Sequence, residues 1–233
     1  MRLRASAKLT LSLRITGVRD DGYHLIDAEM VTIDLADRLE IERGDRLEIV
    51  GPAAIDAGPE NLVSRALRHV GRTARVRLHK RIPSGAGLGG GSADAAAVLR
   101  WSGYDDVEGA AALGADVAFC LVGGRARVSG IGENVEPLAH EARVFTLLTP
   151  PIRCPTPEVY RRWDELGGPE GADGNDLEPA AVSLRPALVR WRDELAAAAG
   201  CRPRLAGSGS TWFVPGSVPG PGRLVVHTVP AVV

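Results

Sequence analysis

A run of glycines between residues 85 and 91 constrains this chain more than any other feature. From Pro83 to Ala97 it reads PSGAGLGGGSADAAA, with Gly85, Gly87, Gly89, Gly90 and Gly91 within seven residues and an alanine-rich, helix-forming stretch behind them. Each glycine costs folding roughly 0.5–1 kcal/mol relative to alanine in lost chain entropy. A turn that merely lets a helix pack closely on a sheet needs one or two. Glycines also let the backbone come close to a ligand, with its N–H groups turned outward. A helix that follows adds about half a positive charge and four unpaired amides at its N-terminus. That combination suits a phosphate.

Two specific phosphate loops compete with this general reading. Gly85-Ala86-Gly87-Leu88-Gly89-Gly90 satisfies GxGxxG, the dinucleotide fingerprint. That pattern belongs in an N-terminal βαβ unit, with an acidic residue about 20 positions on at the end of a parallel strand. Here several strand-like segments precede the loop, and Asp105 and Asp106 fall in a polar turn. Gly85 and Gly90 also have Walker A spacing, but Gly91-Ser92 stands where lysine and a hydroxyl residue are required. The compact charge that grips the outer phosphates is then missing. What remains is a strand ending at Pro83, an anion-binding turn and a helix. Ser92 offers a hydroxyl to a phosphate or to its magnesium, and Asp94 is expected in the first helical turn.

The rest of the chain alternates strands and helices irregularly, which indicates an α+β protein rather than a doubly wound one. Leu9, Leu11, Leu13 and Ile15 alternate with Thr10, Ser12 and Arg14 and predict a strand, closed by the turn RDDGYH. DRLEI occurs twice, at 37–41 and 45–49, and predicts two strands of one hairpin joined near RGD. Asn61 is placed to cap a helix that stops at Gly71. Residues 74–82 predict a strand. Beyond the glycine loop, VEGAAALGADVAFCLVGGRARVSG predicts a helix, a short turn carrying Asp116, an apolar run and a strand. ARVFTLLTPP is a strand where a second unit can begin. TPEVYRRWDEL and LRPALVRWRDELAAAAG predict helices. RPRLAGSGSTWFVPG is a strand, a glycine turn and a strand, and GRLVVHTVP is the last strand.

A formal net charge of −1 over 233 residues leaves no basic face for nucleic acid or a membrane surface. An anionic ligand therefore needs a local site. Cys120, Cys154 and Cys201 are odd in number and far apart, as expected for reduced thiols in a cytoplasmic protein. They form no zinc motif. The N-terminal MRLRASAKLTLSLRITG lacks the apolar core of a signal peptide, and no run reaches membrane-spanning length.

PSGAGLGGGSADAAAVL resembles the second motif of the GHMP kinases. AKLTLSL, DGYH, LGADVAF, PTPEVY, NDLEP and GSGSTWF occur in order over residues 7–213. Together they resemble the 4-diphosphocytidyl-2-C-methyl-D-erythritol kinase family within that superfamily. The resemblance implies a two-domain α+β fold. A ribosomal protein S5 domain 2-like unit over 1–143 would carry ATP binding and catalysis. A ferredoxin-like unit over 144–233 would form the substrate side. It also implies ATP and magnesium as cofactors, a cytidine diphosphate-linked alcohol as substrate, and phosphorylation of that alcohol's 2-hydroxyl.

Individual roles follow from the same resemblance. Asp116 would take or orient the hydroxyl proton. Lys8 would balance that carboxylate and the migrating phosphoryl group. The backbone of Pro83, Ser84, Gly85, Ala86, Gly87, Leu88, Gly89, Gly90, Gly91, Ser92 and Ala93 would hold the triphosphate, with Asn61 near the nucleotide. Tyr23 and Tyr160 would sandwich a cytosine, and His24 would hydrogen-bond its edge. Thr10 would touch the substrate hydroxyl, and Gly207, Ser208 and Gly209 would approach the donor or the substrate's diphosphate. Three positions depart from the usual motifs: Ser6 and Ala118 stand where proline is usual, and Thr10 where asparagine is. Residues 101–113 and the segment after Val214 are short for the family. Other GHMP kinases, acting on homoserine, a sugar or a mevalonate-type alcohol, are the nearest alternative. A nucleotide-binding paralogue without catalysis is the other.

Overall fold

The computed structural model describes residues 1–51 and 55–231. Its frame is a long antiparallel pair, β1 (Arg2–Val18) and β2 (His24–Glu42), closed at residues 19–23. The register of this pair shifts at three places, between Ser6 and Lys8, Thr10 and Ser12, and Ile15 and Gly17. Such irregularities bend a strand and re-aim its side chains. Because β2 is so long, its first half pairs with β5 (Arg125–Gly130) and its second half with β4 (Arg75–His79). β6 (Asn134–Leu138) extends the sheet beyond β5.

The two DRLEI segments are not a hairpin. β3 (Arg46–Val50) pairs in parallel with β4, and β4 lies between β2 and β3. Residues 43–45 cross over the start of β4, where Gly44 leaves no room for a side chain: a Cβ there would stand 2.9 Å from Arg75 Cβ. The insertion is favoured because β4 offers Val76 and Leu78 to both copies. Leu39 and Ile41 face them from one side, and Leu47 and Ile49 from the other. Glu40 and Glu48 both come opposite Arg77.

Helices cover one face of this sheet. α1 (Leu62–His69) starts at Asn61, whose side chain accepts a hydrogen bond from Val63 N, and buries Val63, Ala66 and Leu67. α2 (Gly90–Ser102) is buried at every position from Ala93 to Leu99. Alanine on all sides allows sheet and neighbouring helices to approach it closely, the pattern of a fully enclosed helix. α3 (Val107–Ala111) and α4 (Ala115–Val122) follow. Asp116 is therefore the second residue of a helix rather than part of a turn, and the apolar run behind it is that helix's buried body.

The second sheet contains β7 (Val144–Leu148), β8 (Arg204–Leu205), β9 (Trp212–Pro215) and β10 (Arg223–His227), ordered β10-β7-β9-β8 and antiparallel throughout. Counted within this sheet the order is fourth, first, third, second, that of a ferredoxin-like split βαβ. α5 (Thr156–Glu165), α6 (Glu178–Leu184) and α7 (Leu188–Ala199) connect its first two strands. Residues 216–222 replace the second crossover helix with a short loop.

The two sheets share a core. Ala7, Leu9, Leu11, Val31 and Ile33 of the first meet Phe145, Leu147, Phe213 and Val226 of the second, and Leu88 of the glycine loop is inserted among them. Backbone hydrogen bonds also cross the junction. Leu13 N donates to Gly174 O at 2.7 Å and Asp176 N to Leu13 O at 2.9 Å. The segment GPEGADGNDLEP is thus stitched to β1.

Candidate active site

Lys8 lies on the stretch of β1 between two register shifts. Strand alternation puts Lys8 and Thr10 on one face, and Lys8 Nζ donates to Thr10 Oγ1 at 2.9 Å. A lysine only 5% exposed needs a countercharge. Asp116 Oδ2 supplies it from the first turn of α4, 3.2 Å from Nζ. The Asp116 side chain is one-third exposed, at 33%, so one side of the carboxylate faces the lysine and another faces solvent. Gly114 precedes α4 without any side-chain cap, which leaves that helix N-terminus open as well.

The glycine loop is fixed through its carbonyls. Leu88 O accepts from Lys8 N at 3.1 Å, Ala86 O from Thr211 N at 3.2 Å, and Gly85 O from Cys154 N at 3.4 Å. Gly85, Gly87 and Gly89 all have positive φ. Gly87 sits so tightly under the GSGS turn that a Cβ would fall 2.1 Å from Ala206 O. α2 begins at Gly90, so the amides of Gly90, Gly91 and Ser92 have no helical carbonyl behind them. Ala93 N already bonds Gly89 O at 2.8 Å and is unavailable to a ligand. Gly209 is likewise set back: its N–H donates to Ala206 O at 3.0 Å.

Asp94 departs from expectation in a different way. It is the fifth residue of α2, outside the first turn. Its carboxylate is buried and receives Lys80 Nζ at 2.7 Å, while Lys80 also binds Asp37 Oδ2. Asp37 Oδ1 accepts from Ile82 N at 2.9 Å, which anchors the residues entering the loop. Burial pushes the Asp94 carboxyl up to about 7; the Lys80 charge opposes this and the Asp37 charge adds to it. Asp94 Oδ1 has no hydrogen-bond partner among the described residues. Sequence reasoning missed this cluster. Lys80 reads there as one more inward position of a strand, and Asp37 as part of a repeat.

These elements enclose a cavity of about 1060 Å³. Lys8, Asp116, Asn61 and the loop from Pro83 to Ser92 form one part of its wall. Tyr23, His24, Tyr160, Gly207 and Ser208 form another. Thr10, Ala93 and Gly209 lie behind that wall. Thr10 acts on Lys8, and a Cβ on Gly207 would stand 3.5 Å from Lys8 Nζ and 3.7 Å from Thr10 Oγ1. Asn175, 3% exposed, holds the GSGS turn: its Nδ2 donates to Leu205 O and Gly207 O, both at 2.8 Å. Ser208 Oγ pairs with Thr156 Oγ1 at 2.9 Å. Tyr23 is exposed, with Arg19 above its ring at 5.9 Å. Tyr160 is half-buried, and burial followed by the Asp116 charge raises its phenol above the usual range. Among the described residues no group of three or more His, Cys, Asp or Glu side chains is placed to hold a metal ion, and no helix is long and apolar enough to cross a membrane.

A ferredoxin-like sheet joined to a long-hairpin sheet, with a glycine-gripped helix N-terminus at their junction, is the architecture of the GHMP kinases. Residues 61–124 match the family described as the GHMP kinases N terminal domain. A 4-diphosphocytidyl-2-C-methyl-D-erythritol kinase of Cereibacter sphaeroides is 39% identical over 90% of this chain and 87% of its own length. One from Paracoccus denitrificans is 40% identical over 90% of this chain and 84% of its own. The crystal structure of a 4-(cytidine 5'-diphospho)-2C-methyl-D-erythritol kinase superposes with a TM-score of 0.78 at 33% identity, covering 98% of this chain and 99% of that one. The chain belongs to the 4-diphosphocytidyl-2-C-methyl-D-erythritol kinase family.

Proposed function

We propose that the protein transfers the γ-phosphoryl group of ATP to the 2-hydroxyl of 4-diphosphocytidyl-2-C-methyl-D-erythritol and releases ADP. The observation that carries this reading is the Lys8–Asp116 pair, 3.2 Å apart at the opening between two helix N-termini that lack side-chain caps. Phosphoryl transfer asks a protein for alignment, charge stabilisation and a proton acceptor. The amides of Gly90, Gly91 and Ser92 would hold the outer phosphates, with residues 1–143 as the ATP side. Asp116 would accept the 2-hydroxyl proton as the new O–P bond forms and the bond to ADP breaks. Lys8, fixed by Thr10, would meet the charge on the transferring group. The Ser92 hydroxyl, in the first turn of α2, would help to hold the magnesium that accompanies the phosphates, which would supply charge neutralisation there. Residues 144–233 would contribute the substrate side, where Tyr160 would present an aromatic face to the cytosine, with the exposed Tyr23 of residues 1–143 on the base's other face. Homoserine and mevalonate-type alcohols carry no base for such a wall to stack on.

Purified protein with ATP and magnesium is offered the cytidyl alcohol, homoserine and galactose in turn, and ADP is followed. Turnover of the cytidyl alcohol alone is expected. Turnover of homoserine or galactose instead overturns the substrate, and turnover of none overturns the activity.

A further inference from the structure

His24 is held more firmly than a residue that only fills a cavity wall requires. It begins β2, and its ring lies 4.8 Å from Tyr160 in a tilted stack and 5.5 Å from Trp163 edge-on. Trp163 is itself pinned by a hydrogen bond from Nε1 to Pro169 O at 2.9 Å. Asp164 Oδ1 meets His24 Nε2 at 2.7 Å. Tyr160, Trp163 and Asp164 stand at i, i+3 and i+4 on α5, so one helix face surrounds the imidazole. The His24 side chain is 11% exposed and cannot turn its ring freely in this enclosure.

A carboxylate only accepts hydrogen bonds, so the contact requires the proton on Nε2. In the neutral ring Nδ1 is then an acceptor. Nδ1 has no hydrogen-bond partner among the described residues, and His24 and Asp164 both border the cavity. Cytosine carries an amino donor at C4 beside the N3 acceptor. Uracil carries an oxygen acceptor at C4 beside an N3 donor. In the neutral ring this acceptor bonds the first and opposes the second, lone pair to lone pair. We propose that Asp164 is a positioning residue that fixes the tautomer of His24 and thereby makes the site select cytosine over uracil. This rests on the reading that the cytidyl end of the substrate occupies this wall. A site built around one hydrogen-bond pattern discriminates strongly against its inverse, because a buried polar group is left opposed or unpaired.

The test compares kcat/KM for the cytidyl alcohol and its uridyl counterpart in wild type, Asp164→Ala and Asp164→Asn. Two-bond proton–nitrogen correlation spectra of the histidine ring, assigned with His24→Gln, locate the His24 proton. Wild type is expected to prefer the cytidyl compound and to carry the proton on Nε2. Asp164→Ala should reduce the preference at least tenfold, because both tautomers become available. Asp164→Asn keeps an accepting oxygen and should retain most of it, which a purely electrostatic role would not. Wild-type preference unchanged in Asp164→Ala, or a proton on Nδ1 alone, overturns the proposal and leaves the kinase reading standing. Failure of wild type to turn over the cytidyl compound overturns both.

Discussion

Gly89 and Lys8 cross with no space for a side chain between them: a Cβ on Gly89 would stand 2.7 Å from Lys8 Cγ. The glycine thus serves the lysine as well as the loop. Gly89→Ala must displace the Lys8 stem and also places alanine at a φ of 65°. The backbone cost alone is about 1–2 kcal/mol. A shift of the lysine of about 1 Å should lower kcat on the order of 10²-fold. Gly71→Ala separates the two effects, since Gly71 has a φ of 62° and nothing within 4 Å of its Cβ position. It should lose similar stability in chemical denaturation and keep its turnover.

Removing the proposed proton acceptor should affect chemistry directly. Asp116→Asn is expected to lower kcat by about 10²–10⁴-fold in single-turnover assays. It also leaves Lys8 with Thr10 as its remaining partner, so a fall in melting temperature should accompany the loss. A variant that kept wild-type single-turnover rates would remove Asp116 from the mechanism.

Asp94 predicts a pH dependence of stability. Its folded carboxyl titrates at about 7, above its ordinary 3.8. Between those values the folded state binds more protons than the unfolded one, so stability falls as pH rises. The difference in unfolding free energy, wild type minus Asp94→Asn, should therefore decline from pH 4 to 7 and level off above. The surface carboxyls held low by arginines, such as Asp27 and Glu48, act in the opposite sense and only at lower pH, and they cancel in the difference. Urea titrations across this window measure it, and a flat difference would contradict the assignment.

Asn175 is the tie between the loop of the second half and the GSGS turn. Asn175→Ala leaves two carbonyls without the Asn175 donor and the Leu177 amide without its acceptor, all at a buried site. About 3 kcal/mol of lost stability is expected. Asn175→Asp should be worse than alanine, because a carboxylate would face Leu205 O and Gly207 O. Equilibrium unfolding of both variants decides the order.

Local signals in the sequence were reliable wherever one segment settles its own conformation. The glycine turn, the Asn61 cap and the Leu9–Ile15 strand needed no distant partner to be read. Pairing was illegible where two segments compete for a third. The spacing of the DRLEI copies suggests a hairpin, and only Val76 and Leu78, some thirty residues on, separate them. Asp116 was misplaced in a turn because GAD reads as punctuation, whereas Gly114 is a helix entry. β6, with one half-buried residue, and the short α6 carry too little periodicity to announce themselves. That Lys8 meets Asp116 was legible only through resemblance, since no spacing rule links positions 108 residues apart. The Asp37–Lys80–Asp94 cluster had no sequence signal at all: each member sits in an element with a sufficient explanation of its own.

Lys8 is made early in synthesis and Gly207 late, yet they end as neighbours. A ribosome at about 5–20 residues per second finishes the first sheet seconds before the GSGS turn emerges. The nascent chain therefore carries its glycine loop with one side uncovered, and Leu88 waits for Phe145 and Phe213 to enclose it. Competence for catalysis arrives only with the final strands, as a late event in the birth of the molecule.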